Sequence, residues 1–508
     1  MLFLLGFVTG SVVGQELPGV CGNSTEDQLQ YESRLLNNLA KADAGGVFQR
    51  GAIQYVPVHF HLVGDAQGNG KVKEVRVLDQ LCALNSAFES TEFRFYLAPH
   101  PTKGLFNYTI NATNVYNNQD AWFTMNSNRH PNAINIYIVE DAVSGNNNPG
   151  LTLAYYNIPR DWIVSRKDRI NGSKTNSTLP HEVGHFFSLM HTFLGYESNP
   201  FDSADPTWPK APVTSPGGQA TERVNGTNCS TAADRICDTP PDYNFGLGNG
   251  SCTYTGGAQD PLGTPVDPME NNMMGYFETC SNYVFTPQQN AAMQADLASS
   301  ARNYLDNNFT PVSTEINTPA NLLVAPASGA NVPFYNEVLV EWQSLPEAKY
   351  YLLEFDIIST YVSPLSQSFI VDTNSKLVTT LEPNRNYYWR VRPFNEYVTC
   401  ATPRQRTFRT STVSAVHTIP DLTAWQVAPN PVKSGQPINL FLQTAKGFEA
   451  SVRVFDATGR QVFEQNSIPV SAGDQQIELT TGALNSGFYT VLLQTQEGQV
   501  ARKVSVVQ

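Results

Sequence analysis

The stretch on which the fold depends reads His181-Glu182-Val183-Gly184-His185-Phe186-Phe187-Ser188-Leu189-Met190-His191. On an α-helix, residues four apart lie on one face, which puts the side chains of His181 and His185 about 6 Å from each other. His191 follows six residues after His185, which on a continuous helix is roughly 600° of rotation and about 9 Å of rise. All three rings can therefore meet only if the helix ends after His185 and the chain turns back.

Three imidazoles that meet indicate a metal site. Zn²⁺ suits such a site, because imidazole is a good ligand and three protein ligands leave a fourth position for water. The metal lowers the pKa of that water to roughly 7, so the neighbouring Glu182 can take its proton and produce a hydroxide that attacks a carbonyl. We therefore predict zinc on His181, His185 and His191, with Glu182 as general base. A polar helix face would explain a pair of histidines, but it does not call for Glu182 and the third histidine.

The run resembles the metzincin signature H-E-x-x-H-x-x-G-x-x-H, in which the glycine makes the turn. Ser188 stands here in the place of that glycine. If the backbone at this point requires a positive φ, a non-glycine residue costs on the order of 1 kcal/mol, which a folded core can absorb. The departure from the signature concerns the precision of the turn much more than the identity of the ligands.

A second segment, some eighty residues further on, supports this resemblance. It consists of Asn272-Met273-Met274-Gly275-Tyr276, then Cys280 and Phe285-Thr286-Pro287-Gln288-Gln289. It resembles the Met-turn of the pappalysin-like metzincins, N-x-M-x-Y with a nearby Cys and F-T-x-x-Q. The resemblance implies that Met274 forms the hydrophobic floor beneath the zinc. It also implies that Tyr276 assists the developing oxyanion, to which a phenol can donate a hydrogen bond. A methionine that only fills the core is the commoner alternative.

The segment Asp234-Arg235-Ile236-Cys237-Asp238-Thr239-Pro240-Pro241 lies between the two motifs. It is similar to the family's G-D-x-x-x-D-T-P stretch, with Ala233 in place of the glycine. The resemblance implies a structural Ca²⁺ ion with Glu222, Asp234 and Thr239 as candidate ligands, and oxygen atoms of this kind suit a hard cation. Acidic turns are also common without a metal, so both interpretations remain open.

Four of the seven cysteines crowd the region between the motifs: Cys229, Cys237, Cys252 and Cys280. In an exported protein this clustering predicts two disulfides, and four cysteines allow three pairings. The resemblance favours the pairing of Cys252 with Cys280. The odd count leaves at least one thiol. Cys21 either caps the zinc in a latent form or is a small unpaired cysteine without consequence.

Composition places the chain among globular exported proteins. Its 508 residues are 41% hydrophobic and 15% charged, enough for several cores and about three domains. The net charge of −13 gives no electrostatic case for binding nucleic acid or anionic membranes. Residues 1–14 form an apolar run that we interpret as a signal peptide without a basic start; it is too short for a transmembrane helix, and no other stretch qualifies. Residues 15–50 form a candidate short propeptide that shields the cleft.

The fold predicted for residues 51–312 is an α+β, metzincin-type catalytic domain with a mixed sheet above the active-site helix. Alternation and apolar runs predict strands over residues 53–62, 93–97, 134–139 and 151–156, and helices over 73–88, from Leu179-Pro180 and over 287–304. His59 and His61 lie on the face of the first strand opposite its apolar residues. We expect them at the strand surface rather than as metal ligands.

Two all-β sandwich domains are predicted after the catalytic domain. Residues 318–412 carry short strands with an early Trp342 and a late Tyr387-Tyr388-Trp389-Arg390-Val391-Arg392, which resemble a fibronectin type III domain. Residues 411–423 read as a linker. Residues 424–508 carry P-N-P, D-x-x-G-R and L-x-x-G-x-Y in order. They resemble the C-terminal sorting domain of type IX secretion cargo, which implies passage through the outer membrane and removal of the tail. A generic β-sandwich with tight turns at Gly459 and Gly487 is the alternative.

The sequence thus predicts a secreted zinc metalloendopeptidase, expected as a monomer. Its expected partners are protein or peptide substrates and, through the C-terminal domain, the type IX secretion machinery. Two other classes remain open. One is a surface adhesin with a catalytically weak zinc-protease fold, which would have no need for Glu182. The other is a zinc hydrolase that acts on a non-peptide amide or ester.

Overall fold

The computed structural model describes residues 20–44, 52–111, 119–142, 152–202, 210–305, 308–415, 419–457 and 460–508. The predicted signal peptide 1–14, residues 15–19 and 45–50 of the candidate propeptide, and Gly459 lie outside the described residues. The chain divides into two compact units, Met1–Ser313 and Thr314–Gln508.

The first unit is built on a six-stranded mixed sheet. Its strands are β1 (Val20–Cys21), β2 (Gln54–Leu62), β3 (Phe93–Leu97), β4 (Ile134–Val139), β5 (Thr152–Asn157) and β6 (Trp162–Arg166). Its helices are α1 (Thr25–Leu29), α2 (Glu32–Asp43), α3 (Glu74–Ala87), α4 (Gln119–Asn128), α5 (Thr178–Phe186) and α6 (Pro287–Leu297). The strand order is β1-β5-β6-β4-β2-β3. Only β5 and β6 pair antiparallel among these neighbours, so the predicted mixed sheet is confirmed.

The expectation that His59 and His61 lie at a strand surface is wrong. Both side chains are fully buried. The strand β2 that carries them lies inside the sheet, between β4 and β3, and the rings of His100 and His130 pack against His59. An alternating pattern predicts one wet face only when the sheet is covered on a single side, and this strand is covered on both.

The helix α5 that carries the motif packs against β5 and β6, and its residues from Leu179 to Phe186 are buried. Pro180 lies in its first turn, where the missing N–H removes no helical hydrogen bond. The helix ends at Phe186, and Ser188 follows with a φ of 70°. The predicted stop and left-handed turn are therefore both present, with a serine rather than a glycine in the turn.

The helix α6 begins with a capping box that explains the F-T-x-x-Q pattern. The Gln289 backbone N–H donates to Thr286 Oγ1 at 3.2 Å, and the Thr286 N–H donates to Gln289 Oε1 at 2.9 Å. The helix ends at Leu297, earlier than predicted, because Ser299 is extended and a 3₁₀ turn, Ser300–Arg302, follows.

The second unit contains two β-sandwiches, as predicted. The strands of the first are β7 (Leu323–Ala325), β8 (Ala330–Asn331), β9 (Val338–Trp342), β10 (Tyr350–Asp356), β11 (Gln367–Val371), β12 (Ser375–Val378), β13 (Asn386–Phe394) and β14 (Arg404–Arg409). Those of the second are β15 (Leu422–Ala428), β16 (Val432–Lys433), β17 (Ile438–Thr444), β18 (Phe448–Asp456), β19 (Gln461–Val470), β20 (Gly473–Leu479), β21 (Gly487–Gln494) and β22 (Gln499–Val507).

Each sandwich has its own core. Sheets β11-β10-β13-β14-β8 and β12-β9-β7 enclose Trp342 and Trp389, and sheets β15-β17-β20 and β16-β22-β21-β18-β19 enclose Trp425. Across the described ranges, no helix of either unit has the length and apolar character needed to span a bilayer.

Candidate metal site

The three histidines of the motif converge on one point. His191 Nε2 lies 3.1 Å from His185 Nε2 and 3.2 Å from His181 Nε2. His181 and His185 lie on adjacent turns of α5, and the reversal of the chain at Ser188 brings His191 back to them. Their ring nitrogens and the thiol of Cys21 all lie within 4.8 Å of one another. This is the only such group of potential metal ligands among the residues that the structure describes.

The outer ring nitrogens are anchored so that the inner ones stay available. His181 Nδ1 lies 2.8 Å from the Met273 carbonyl, and His185 Nδ1 lies 2.7 Å from the Leu189 carbonyl. A carbonyl can only accept, so both imidazoles carry their proton on Nδ1 and present an Nε2 lone pair. Burial lowers the pKa of His181 to about 4, which keeps the ring neutral. Three converging imidazoles, two of them with the outer nitrogen anchored to a backbone carbonyl, are a donor set that fits zinc.

Met274 lies directly beneath α5, as the predicted Met-turn implies, and it is fully buried. A Cβ added to Gly184 would lie 2.4 Å from Met274 Sδ, so the glycine inside the histidine motif makes room for the methionine. Asn272 Oδ1 accepts a hydrogen bond from Met274 N at 2.9 Å, and its amide pairs with that of Gln289. The second motif is thus tied both to α5 and to the start of α6.

Glu182 and Tyr276 border the same point. Glu182 is 1% exposed, and burial raises the pKa of its carboxyl to about 8. Its Oε2 has no hydrogen-bond partner among the described residues. The Tyr276 ring lies 5.1 Å from that of His191, centre to centre, and its hydroxyl donates to the Cys21 carbonyl at 3.5 Å. Both residues line one cleft together with His181 and Cys21, so a carboxylate and a phenol lie beside the candidate metal position.

The N-terminal segment passes through this site. Val20 and Cys21 form β1, which pairs in parallel with β5 at the edge of the sheet, and Gly22 N donates to the Ala154 carbonyl at 2.8 Å. Burial, followed by the charge of Glu182, raises the pKa of the Cys21 thiol. A cleft of about 270 Å³ lies alongside and is lined in part by Cys21, Asn176, His181, Glu182, Tyr276 and Phe277.

The sequence does not point to three further residues that contact these histidines on the side away from their converging Nε2 atoms. Tyr31 Oη lies 3.0 Å from His185 Nδ1 and donates to the Leu189 carbonyl at 3.1 Å. Gln28 Oε1 accepts from His191 N at 2.7 Å. Glu197 Oε1 lies 3.3 Å from His191 Nδ1. Glu197 follows the third histidine closely enough to be noticed, whereas no local pattern marks Tyr31 or Gln28.

The candidate calcium ligands are buried together, and neither carboxyl forms an ion pair within the described part of the chain, although the charge of Arg235 lies near enough to lower the pKa of both. Glu222 is 3% exposed and its Oε2 has no hydrogen-bond partner among the described residues, while Asp234 is fully buried. Thr239 Oγ1 donates to Asp234 Oδ1 at 3.1 Å. Burial raises the pKa of the Glu222 carboxyl, and the neighbouring Asp234 raises it further. Two buried carboxyls of this kind offer the oxygen donors that a hard cation binds.

Two disulfides join the four clustered cysteines, Cys229 to Cys237 and Cys252 to Cys280. The second is the pairing that the resemblance implies. Cys21 is the free cysteine of the described residues.

The first unit has the mixed sheet, the helix that carries two of three converging imidazoles, and the methionine turn against that helix, so the predicted α+β architecture is confirmed. The chain is similar to an extracellular metalloprotease of Colletotrichum graminicola, with 25% identity over 317 residues that cover 57% of this chain and 93% of the relative. An extracellular metalloprotease of Sordaria macrospora is 25% identical over 53% of this chain and 85% of its own length. Tannerella forsythia promirolysin, solved in a mutant form, aligns over 56% of this chain and 96% of its own with 19% identity and a TM-score of 0.37.

The C-terminal residues match a different family. Residues 426–507 match the secretion system C-terminal sorting domain. This match confirms the predicted sorting domain, and with it the prediction that the protein is exported.

Proposed function

We propose that the chain is a secreted zinc metalloendopeptidase that hydrolyses peptide bonds of protein substrates. The observation that carries the proposal is the convergence of three Nε2 atoms beside a buried, partly unpartnered carboxylate. His181, His185 and His191 would hold the metal. Zinc held there would act as a Lewis acid toward a peptide carbonyl and would acidify water.

The protein groups divide the remaining work. The Glu182 carboxylate accepts the proton of the attacking water and then delivers it to the leaving amine, a role that burial favours by bringing its pKa to about 8. The Tyr276 hydroxyl donates to the carbonyl oxygen as negative charge develops on it. Met274 supports the ligands from below through its contact with Gly184.

The strand β5 supports a peptide rather than a small amide or ester as substrate. A piece of extended chain, Val20–Cys21, already pairs with this strand beside the metal position. When that piece leaves, β5 becomes an edge strand whose free backbone groups can hold an extended substrate. Such pairing recognises backbone, so an extended protein segment fits better than a compact molecule.

The same contact supports a latent form. The Cys21 thiol lies with the three Nε2 atoms inside one group of potential ligands, where a thiolate would occupy the fourth position on zinc. The Cys21→Ser variant of the full chain should then acquire activity without added activator, while the wild type does not. Equal latency of both proteins would speak for an unpaired cysteine without consequence.

We also propose a structural Ca²⁺ at Glu222, Asp234 and Thr239, on the strength of the unpartnered Glu222 Oε2 beside a buried Asp234. Calcium should raise the melting temperature of the full chain, and Asp234→Asn should abolish that rise. Asp267→Asn, which alters an exposed carboxylate, is the control. A melting temperature that ignores calcium would contradict this proposal.

Recognition by the type IX machinery is proposed for the sorting domain, residues 426–507. Deletion of these residues should leave the protein inside the cell envelope of an expressing host that carries the machinery. Export of the truncated chain at the normal level would contradict it.

The test of the proposed activity uses the full chain after removal of its N-terminal segment by limited proteolysis. Cleavage of a mixed protein substrate is compared for the wild type, Glu182→Ala and the wild type with a zinc chelator. Removal of a general base should lower the rate by a factor of about 10² to 10⁴ while zinc remains bound. Glu89→Ala, at an exposed carboxylate, should be fully active. No cleavage by a folded, zinc-loaded wild type would favour the adhesin alternative.

A further inference from the structure

The turn between the second and third histidines contains the departure of this chain from the metzincin signature. We propose that the pair Ser188 and Asp296 replaces the glycine of that turn, and that Asp296 is a positioning residue for His185. The proposal rests on the proposed function, because it concerns the same metal site. It assigns a role to a carboxylate that lies on another helix, more than a hundred residues away in the sequence.

Ser188 sits in a conformation that a serine rarely adopts. Its φ is 70°, in the left-handed region, and its side chain is fully buried. Its hydroxyl donates to Asp296 Oδ1 at 2.6 Å. A glycine would accept this backbone without strain, but it would offer nothing that ties the turn to α6.

The turn held in this way determines the orientation of a metal ligand. The carbonyl of Leu189, the next residue, accepts the hydrogen bond from His185 Nδ1 at 2.7 Å, and Leu189 N donates back to the Gly184 carbonyl at 3.0 Å. A shift of Ser188 would move that carbonyl and rotate the imidazole. Outer partners of this kind influence metal affinity by a factor of about 10 to 100.

Asp296 is itself held rigidly. It is fully buried on α6, and its Oδ2 accepts from Arg302 Nε at 2.8 Å. The same guanidinium donates to the Phe186 carbonyl at the end of α5 and lies over the Phe186 ring. The carboxylate therefore has a buried counter-charge that also contacts the helix of the first two ligands, which gives it a defined position.

The N-terminal segment binds to this same pair. Arg34 Nε donates to Ser188 Oγ at 2.8 Å, and Asn38 Nδ2 donates to Asp296 Oδ1 at 2.9 Å. Both residues belong to α2, which packs against α6. The pair thus connects the metal-binding turn with the segment that covers the site, and Arg302 still balances the carboxylate when α2 leaves.

The test is a double-mutant cycle in the full chain with Ser188→Gly, Asp296→Asn and both together, and with Ser188→Ala for comparison. The readouts are the rate of zinc release to a chelating dye and the melting temperature of the zinc-free protein. Ser188→Ala keeps the strain and loses the hydroxyl, so zinc release should be about tenfold faster. In the protein that keeps Ser188, Asp296→Asn should accelerate zinc release about tenfold. In the protein that carries Ser188→Gly, the same substitution should accelerate zinc release less than about twofold.

Asp161→Asn is the matched control. Asp161 Oδ1 accepts from Arg302 Nη1 at 2.6 Å and does not contact Ser188. This variant should lower the melting temperature and leave zinc release at the wild-type rate. The proposal is overturned if Asp161→Asn accelerates release as much as Asp296→Asn does, or if the effect of Asp296→Asn is the same in both backgrounds.

The experiment still tests the proposal if one variant does not fold or if the wild type binds no zinc. If Asp296→Asn does not fold, the difference between Ser188→Ala and Ser188→Gly still decides, and equal release rates would overturn the proposal. If the wild type takes up no zinc, the proposed function fails. The melting temperatures of the zinc-free variants then still report whether Ser188 and Asp296 act as a pair, and additive effects would overturn it.

Discussion

The first unit contains two clusters of histidines, and only one of them is suited to a metal. In the candidate metal site, the Nε2 atoms of His181, His185 and His191 face one another, and the Nδ1 atoms of His181 and His185 are anchored to carbonyls. The second cluster consists of His59, His61, His100 and His130, with ring centres about 5 Å apart.

The rings of the second cluster use their nitrogens differently. His61 Nε2 bonds Asn135 Oδ1 at 2.9 Å, and its Nδ1 lies 3.0 Å from Asn107 Nδ2. His130 Nε2 lies 3.2 Å from the Pro99 carbonyl. Both ring nitrogens of His61, His100 and His130 contact protein partners. Only His59 Nε2 lacks a partner among the described residues, so a single lone pair is left and no set of lone pairs converges on an ion. Proximity and burial of histidines therefore do not make a metal site. The lone pairs of the free ring nitrogens must also point to one place.

The largest expected effect comes from exchanging one histidine in each cluster. The His185→Gln variant should bind zinc with an affinity more than about 100-fold lower, because a ligand is lost and not merely an outer partner. The His61→Gln variant should bind zinc like the wild type. Competition titration against a chelating dye measures the zinc affinity of both variants. Loss of zinc binding in a folded His61→Gln protein would contradict the assignment of the metal to the first cluster alone.

The second cluster should instead make the fold sensitive to acid. Burial lowers the pKa of His59 to about 3, so the folded protein binds fewer protons than the unfolded chain, whose histidines titrate near 6.5. The resulting stability is fully present above about pH 6.5 and is lost as the pH falls toward about 3, on the order of 5 kcal/mol in total.

Chemical denaturation of the zinc-free full chain between pH 7 and pH 4 measures this loss. The His59→Gln variant should show a flatter pH dependence than the wild type. An identical dependence in both proteins would mean that His59 does not carry the acid sensitivity.

A smaller effect is expected at Glu197. Its carboxylate faces His191 Nδ1 at 3.3 Å, and a carboxylate behind a ligating histidine makes that ligand more basic. The Glu197→Gln variant keeps the shape and should lower zinc affinity about tenfold. The exposed Glu89→Gln should change nothing in the same titration, and equal affinities for all three proteins would contradict the assignment.

The smallest effect is expected at Tyr31. The Tyr31→Phe variant removes the hydroxyl that contacts His185 Nδ1 and the Leu189 carbonyl but keeps the ring. One buried hydrogen bond is worth about 1 kcal/mol. The full chain should lose about that much unfolding free energy in urea, and a loss of zero would remove Tyr31 from the set of outer partners.

Local patterns predicted the parts of the fold that local physics determines. β3 and β4 have the predicted bounds, Phe93–Leu97 and Ile134–Val139, because short apolar runs between turns admit little else. α4 and β6 were not predicted, since neither has a clear apolar period. The burial of His59 also escaped, because the cover on that face comes from His100 and His130, far away in the chain.

The candidate site also contains residues that the sequence predicts and residues that only the structure shows. Spacing alone pointed to the three histidines and Glu182, because two of the ligands share a helix face. Gln28 and Tyr31 lie more than a hundred residues from the histidines that they contact, and Asp296 lies as far in the sequence from Ser188. No periodicity connects positions at such a distance, so only the folded chain brings them together.

The contact between Gly184 and Met274 limits which substitutions the two positions can accept. A methyl group at position 184 would overlap the methionine sulfur, with 2.4 Å between the two atoms, so Gly184→Ala should be harmful while position 274 carries a long side chain. A second-site suppressor of Gly184→Ala is then expected at position 274, as a shorter residue such as valine. Substitutions at positions 184 and 274, ninety residues apart, are therefore expected to be coupled.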